Sequence, residues 1–330
     1  MSTRQYFAGL TELENKMEDV TLTCLTNLRV GRSRGQLAAN KPCLLLAILC
    51  EIQRGHISTP QVYIDDRLIA RYFDLYEIAT GDRHAANPHL PLWHLKSDQG
   101  VTGALWEPNF ESSIANVADS IGQPKSLKKL STLFTEATLD PALFNAFQDP
   151  STARSACALI VTHYFARSDQ QNDLNVYLNN AFASGEYEKQ TDRLVGEVTE
   201  NAQQQARSAA FRMLVLEAYD YRCAATRLRF ITPDYRYLVE AAHLIPFAES
   251  FDDRPSNGLA LTPNLHWAMD NYLIAPGPDH KWHVSPTLDE LMPDNAWLHQ
   301  LDGQAVILPR AKHSQPDPLA LSWRMDHLLR

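Results

Sequence analysis

The chain contains no pair of cysteines two residues apart. Its five cysteines, Cys24, Cys43, Cys50, Cys157 and Cys223, are odd in number and scattered. That spacing excludes a four-cysteine zinc knuckle, and it points to reduced thiols in apolar helices rather than to a disulfide frame. Long apolar runs are missing as well. The longest, at 42–50 (PCLLLAILC), falls well short of the ~18–20 residues a spanning helix needs. The opening MSTRQYFAGL lacks the basic-then-apolar layout of a leader, so a cytoplasmic location without membrane association is expected. Positive charge is short: 30 Lys and Arg against 39 Asp and Glu leave a net −9. Such a balance argues against a protein that coats nucleic acid indiscriminately, but it leaves room for a local basic surface. Arg29, Arg32 and Arg34 with Lys41 form one such cluster, and Lys125, Lys128 and Lys129 form another. There is no internal repeat and no low-complexity tract.

What is present suits two domains, because 330 residues exceed the roughly 100–200 typical of one. Residues 11–30 place Leu13, Met17, Val20, Cys24 and Leu28 at helical spacing. A second helix opens with Pro42 in its first turn and stops at Gly55. It is apolar nearly all round, which predicts a central position. Residues 60–80 read as a further helix, and 124–165 as helical again. Between them NPHLPLWHLKSDQGVTGALWEP breaks the pattern and carries a hairpin signal at Gly100 and Gly103, with Trp93 and Trp106 suited to a core. From Ala166 to Gln205 the chain turns polar and reads as a partly helical linker. Beyond it come a helix (SAAFRMLVLEAYDY) and two short strand segments, CAATRLRFI and YRYLVEAAHLIP. A helical stretch then follows Gly258, and APGPDHKWHVSP and QAVILP read as further strands. The predicted class is α+β. A mainly helical domain spans 1–168, a linker 169–205, and a mixed domain 206–330.

The chemistry concentrates in VEAAHLIPFAESFDDRPSNGLALTPNLHWAMDNYLI. His243 ends a strand, Asn257 sits in a polar loop, and His266 and Asp270 are four apart on one helix face. An imidazole and a carboxylate on adjacent turns can grip Mg²⁺, Mn²⁺ or Ni²⁺, with Zn²⁺ also accommodated, and leave other positions open. His243 is suited to take a proton from an attacking water near neutral pH. Asn257 is suited to orient the loop that carries it.

The segment resembles the HNH nuclease family, whose fold is the ββα-metal motif. The resemblance covers roughly 206–315. It implies a metal-dependent DNA endonuclease with His243 as general base, Asn257 as orienting residue, and His266 and Asp270 as metal ligands. Many members carry a further ligand directly before the base, where this chain has Ala242. Glu240, two residues earlier on the same strand face, is the expected substitute. Members with a zinc-ribbon frame have two CxxC pairs, whereas Cys223 here stands alone.

An unrestricted nuclease would damage its own genome, so the first domain is expected to restrict it. NKPCLLLAILCEI, HLPLWHLKSD and ALIVTHYF resemble the DNA sulfur-binding domain, which recognises phosphorothioate DNA. That domain often precedes an HNH domain in type IV, modification-dependent restriction endonucleases. A sulfur atom is softer and less hydrated than oxygen, so a shallow apolar pocket can prefer it. The resemblance points to Leu90, Pro91 and His94 for that pocket, with Asn40 and Lys41 contacting DNA and Arg32 and Arg34 beside them. An aromatic residue often stands where this chain has Leu90. Double-stranded DNA is the expected partner, and a homodimer is expected because cutting two strands needs two sites. Two alternatives stay open: an HNH nuclease gated by methylated bases or by a phage-defence partner, and a non-catalytic DNA-binding protein that keeps the fold.

Overall fold

The computed structural model describes residues 22–33, 36–113, 120–196, 201–289 and 291–330. Most of the helix expected at 11–30, and Arg34, lie outside the described residues. The chain divides into two compact units, Met1–Phe182 and Ala183–Arg330.

The first unit opens, among its described residues, with a 3-10 turn, Thr23–Thr26, and a short antiparallel pair, β1 (Arg32–Ser33) with β2 (Gln36–Leu37). Helix α1 (Asn40–Gln53) then runs through the core with nearly every side chain buried, as its unbroken apolar sequence predicts. The next segment is not helical from residue 60. Strand β3 (Gln61–Tyr63) comes first, and helix α2 (Asp66–Thr80) follows once the Asp65 carboxylate accepts the Leu68 N–H at its start. Gly81, at φ 75°, closes α2 in the left-handed conformation that glycine adopts without a Cβ clash.

The proline-rich stretch forms a short helix, α3 (His89–His94), followed by a hairpin turn in which the Gly100 N–H donates to the Gly103 carbonyl. Trp106 is buried and donates its indole N–H to the Leu92 carbonyl, so both tryptophans serve the core. Strand β4 (Trp106–Pro108) pairs with β5 (Glu136–Leu139), which also pairs with β3, in the order β3-β5-β4. The stretch 124–165 is therefore interrupted by a strand: α4 (Leu127–Leu130) and β5 precede α5 (Pro141–Gln148) and α6 (Pro150–Tyr164). Asp140 and Asp149 cap the last two helices, each just before a proline in the first turn.

The polar stretch expected as a linker is largely built into the two units. Helix α7 (Ser168–Lys189) contains the division between them. On the first unit's side, the Tyr177 hydroxyl accepts from Arg71 and donates to Asp74. In the second unit, Tyr187 and Leu194 pack with Ala210 and Leu214 of α8 (Asn201–Ala218).

The second unit is built on a hairpin and a helix. Residues 221–231 form turns rather than the expected regular strand, with a single bridge from Ile231 to Tyr237. Strand β6 (Glu240–His243) pairs with β7 (Gly258–Leu261), putting Glu240 opposite Leu261 and His243 opposite Gly258. A short helix, α9 (Phe247–Ser250), lies between them. Thus Gly258 begins a strand where a helical stretch was expected, and helix α10 (Pro263–Asp270) starts only at the proline. Strands β8 (Ile274–Pro276) and β9 (Trp282–Val284) form a second pair, which the 304–309 segment joins by one bridge, Lys281 to Ala305. Helices α11 (Ala296–His299) and α12 (Pro318–Asp326) complete the unit. Val215, Leu259, Leu261, Leu265, Met269, Trp282 and Leu321 are among the buried side chains of its core.

Candidate active site

β6, the loop 244–257, β7 and α10 bring His243, Asn257, His266, Asp270 and Glu240 into one small structure. Residues 241 and 243 face one way along β6, and 240 and 242 the other. Ala242 is buried in the core. The His243 ring stacks on Phe211 of α8 with centroids 3.8 Å apart and planes 6° from parallel, and Phe247 approaches it at 6.2 Å. Its Nε2 lies 3.1 Å from the Asp253 carboxylate, while 24 % of the side chain stays open to solvent.

Asn257 is 2 % exposed, so it reaches neither DNA nor bulk water. Its amide instead locks the loop. Oδ1 accepts the Ile245 N–H at 2.9 Å, and Nδ2 donates to the Ile245 and Asp252 carbonyls at 3.0 Å each. These bonds fix the backbone that follows His243.

On α10, His266 meets a carboxylate at each ring nitrogen. Nδ1 is 3.0 Å from Glu240 and Nε2 is 3.3 Å from Asp270. A buried arginine ties the two halves together. Arg324 of α12, 1 % exposed, donates to the carbonyls of His243 at 2.8 Å, Leu244 at 2.6 Å and Met269 at 3.1 Å. One guanidinium thus joins the end of β6 to the end of α10. Burial works against the Arg324 charge and lowers its pKa, while the neighbouring Asp270 and Tyr272 favour the charge.

Residues 223–275 match a family model, HNH_2, described as HNH endonuclease. The second unit carries an HNH endonuclease domain. A solved structure described as a modification dependent TagI restriction endonuclease is similar at 19 % identity and a TM-score of 0.29. The similarity covers 41 % of this chain and 45 % of that one, an overlap too loose to establish a shared fold and less than half of that protein's length. No curated protein gives a match to the chain.

The HNH domain can be tested for a metal by its donors. Among the described residues, no three His, Cys, Asp or Glu side chains form a ready-made metal cluster. The reason lies in the imidazole. Its two nitrogens point to opposite edges of the ring, so an ion on Nε2 would have Asp270 within reach and not Glu240. An imidazole nitrogen and one carboxylate oxygen fit an open site, completed by water and phosphate oxygens, rather than a closed protein cage. Glu240 then takes the Nδ1 side, where a carboxylate commonly orients a metal-bound histidine.

Outside the HNH domain the expected recognition residues separate. Lys41 is 7 % exposed and its ammonium lies 2.5 Å from Asp98, which also accepts the Arg29 N–H. Its charge is neutralised inside the fold, so the expected DNA contact at Lys41 is corrected to a core ion pair. Pro91 is buried on α3, so its ring is not the floor of a surface pocket. On the same helix Leu90 is half-buried and His94 is exposed, with Nε2 2.9 Å from the Gln123 side chain. Arg32 and Asn40 line a cleft of about 650 Å³ with Tyr76, His163, Tyr164 and Arg167. The Asn40 Oδ1 also accepts the Tyr72 hydroxyl at 2.7 Å. Two segments, NKPCLLLAILCEI and ALIVTHYF, each supply part of its wall, but its other residues, such as Tyr76 and Arg167, join them only in the fold. Asp253, Arg207 and Arg324 were missed.

Proposed function

We propose that this protein is a DNA endonuclease in which the HNH domain cuts and the first unit selects modified DNA. The observation that carries the cutting half is the union, on one hairpin and helix, of a histidine held by Asp253 and Phe211 with the His266–Asp270 pair. His243 takes a proton from the water that attacks phosphorus. The bond from phosphorus to the 3′ oxygen breaks, its electron pair goes to that oxygen, and solvent supplies the oxygen's proton. His266 and Asp270 hold the divalent ion, which when bound stabilises the charge on the scissile phosphate and on the leaving oxygen. Asn257 and Arg324 keep the loop and helix in register while this happens.

For selection, the reading is phosphorothioate recognition by the first unit, with the half-buried Leu90 and the exposed His94 of α3 at the sulfur and Arg32 and Asn40 nearer the phosphates. One observation favours a second reading. The 650 Å³ cleft with Tyr76, Tyr164 and Phe165 in its walls has room for an extruded base, which suits a methylated target. Gel shifts with matched phosphorothioate, methylated and plain duplexes separate the two. Tighter binding to the sulfur duplex supports the first reading, tighter binding to the methylated duplex supports the second, and equal binding to all three removes both. Cleavage assays with Mg²⁺, Mn²⁺ and Ni²⁺ test the cutting half. His243→Ala is expected to abolish cleavage and keep DNA binding, and full activity in that variant overturns the assignment.

A further inference from the structure

The loop between His243 and Asn257 holds a buried carboxylate that touches His243 and whose effect on the imidazole's protons the reaction as described leaves open. Asp253 is 3 % exposed, and its Oδ1 lies 3.1 Å from His243 Nε2. Its own N–H donates to the Leu194 carbonyl at 2.9 Å, and Oδ2 sits 3.7 Å from the Arg207 Nε. Arg207 is buried too. It donates to the carbonyls of Gly196 at 2.7 Å and Phe251 at 3.3 Å, and also to that of Leu194. Phe251 is held in the left-handed region at φ 49°, a conformation that non-glycine residues keep only where their surroundings impose it.

We propose that Asp253 is the positioning residue for the general base: it fixes His243 in the tautomer that carries its proton on Nε2 and its lone pair on Nδ1, with Arg207 anchoring Asp253. The logic is one of donors and acceptors. An ionised aspartate only accepts hydrogen bonds, so the imidazole nitrogen beside it must be the donor. In a neutral ring the other nitrogen, Nδ1, then holds the lone pair. Phe211, stacked flat on the ring, stops the imidazole from flipping about χ2, which would put the carbon Cε1 where Nε2 now faces the carboxylate. The carboxylate also steadies the imidazolium that forms once the water's proton has been taken. Arg207 acts on the carboxylate by charge rather than by a hydrogen bond, its Nε lying 3.7 Å from Oδ2 while Oδ1 is left to His243.

The proposal rests on His243 being the base, and the test separates the two claims. In the full chain labelled with ¹⁵N-histidine, the His243 resonances, assigned by their loss in His243→Asn, should show a protonated Nε2 and an unprotonated Nδ1 at slightly alkaline pH. In Asp253→Asn, the Arg207 guanidinium draws the amide oxygen, so the amide nitrogen turns to Nε2 and forces the opposite tautomer. That variant should lose about 10³- to 10⁴-fold in kcat while KM and metal affinity stay within about twofold. A wild-type His243 protonated on Nδ1 overturns the proposal, and so does an Asp253→Asn enzyme with near-normal kcat. Should that variant not fold, the wild-type spectrum alone decides. A wild-type chain that cuts no DNA sinks the nuclease reading instead and leaves the tautomer result standing.

Discussion

Glu240 holds the Nδ1 of His266 at 3.0 Å from a strand twenty-six residues earlier in the chain, while Nε2 of the same ring faces Asp270 on the next turn. The two carboxylates therefore have different expected effects on metal affinity. Asp270→Ala removes the carboxylate proposed as a ligand and should abolish measurable Mn²⁺ binding by calorimetry. Glu240→Gln removes only the acceptor that orients His266, and should weaken binding by about 10- to 100-fold. Equal losses in the two variants would put Glu240 among the direct ligands.

Gly258 pairs with His243 across the hairpin and has no room for a side chain. An added Cβ would lie 2.5 Å from Val215 Cγ2 and 2.8 Å from Phe211 Cε2. Phe211 is the ring on which His243 stacks, so crowding at Gly258 is transmitted to the base. Gly258→Ala should cost about 1–3 kcal/mol in urea denaturation and lower cleavage more than tenfold. Gly122→Ala, where the added carbon meets nothing, is the matched control and should change neither.

Arg324 donates to three carbonyls, and only that of Met269 also accepts a loop N–H, from Tyr272, so loss of the side chain takes the guanidinium donor from the His243 and Leu244 carbonyls. Each buried acceptor left unpaired costs about 1–3 kcal/mol. Arg324→Met keeps much of the packing volume and should still lower the unfolding free energy of the HNH domain by at least about 2 kcal/mol, with a matching loss of cleavage. A variant as stable as the wild type would mean that water replaces the guanidinium.

The parts of the site that can be read from sequence are those whose meaning is local. His266 and Asp270 need only a four-residue spacing, and His243 and Asn257 only their order around a polar loop. Arg324 and Arg207 act over long separations, 80 residues to Leu244 and 44 to Phe251, so their roles arise only on folding. Asp253 stood in plain view in a loop that reads as an ordinary turn. Lys41 shows the opposite error: a lysine at a helix start suggests a phosphate contact until Asp98, 57 residues on, neutralises it. Among the elements, α1 was legible because an apolar helix needs no partner to be recognised. The strands β3, β5 and β7 were not, since three or four residues next to helical patterns carry too little periodicity to stand out.

A buried cluster in the first unit gives that unit its own dependence on acid. Glu51 on α1 is 2 % exposed, accepts from the Arg71 Nε at 2.8 Å and lies 2.7 Å from the His56 ring. Burial alone would raise its pKa. Arg71, the His56 hydrogen bond and Arg54 outweigh that and hold the carboxyl far below the ordinary carboxylate range. The unfolded chain protonates such a group near pH 4, the folded unit only well below that. The stabilisation is therefore complete above about pH 5 and is lost as pH falls through the acid range toward the folded value. Glu51→Gln should remove about 3 kcal/mol at pH 7, because it takes away the buried carboxylate that meets the Arg71 guanidinium. It should also flatten the fall in thermal midpoint between roughly pH 4 and pH 2 that the wild type is expected to show. An unchanged acid slope in the variant would assign the sensitivity to other carboxylates.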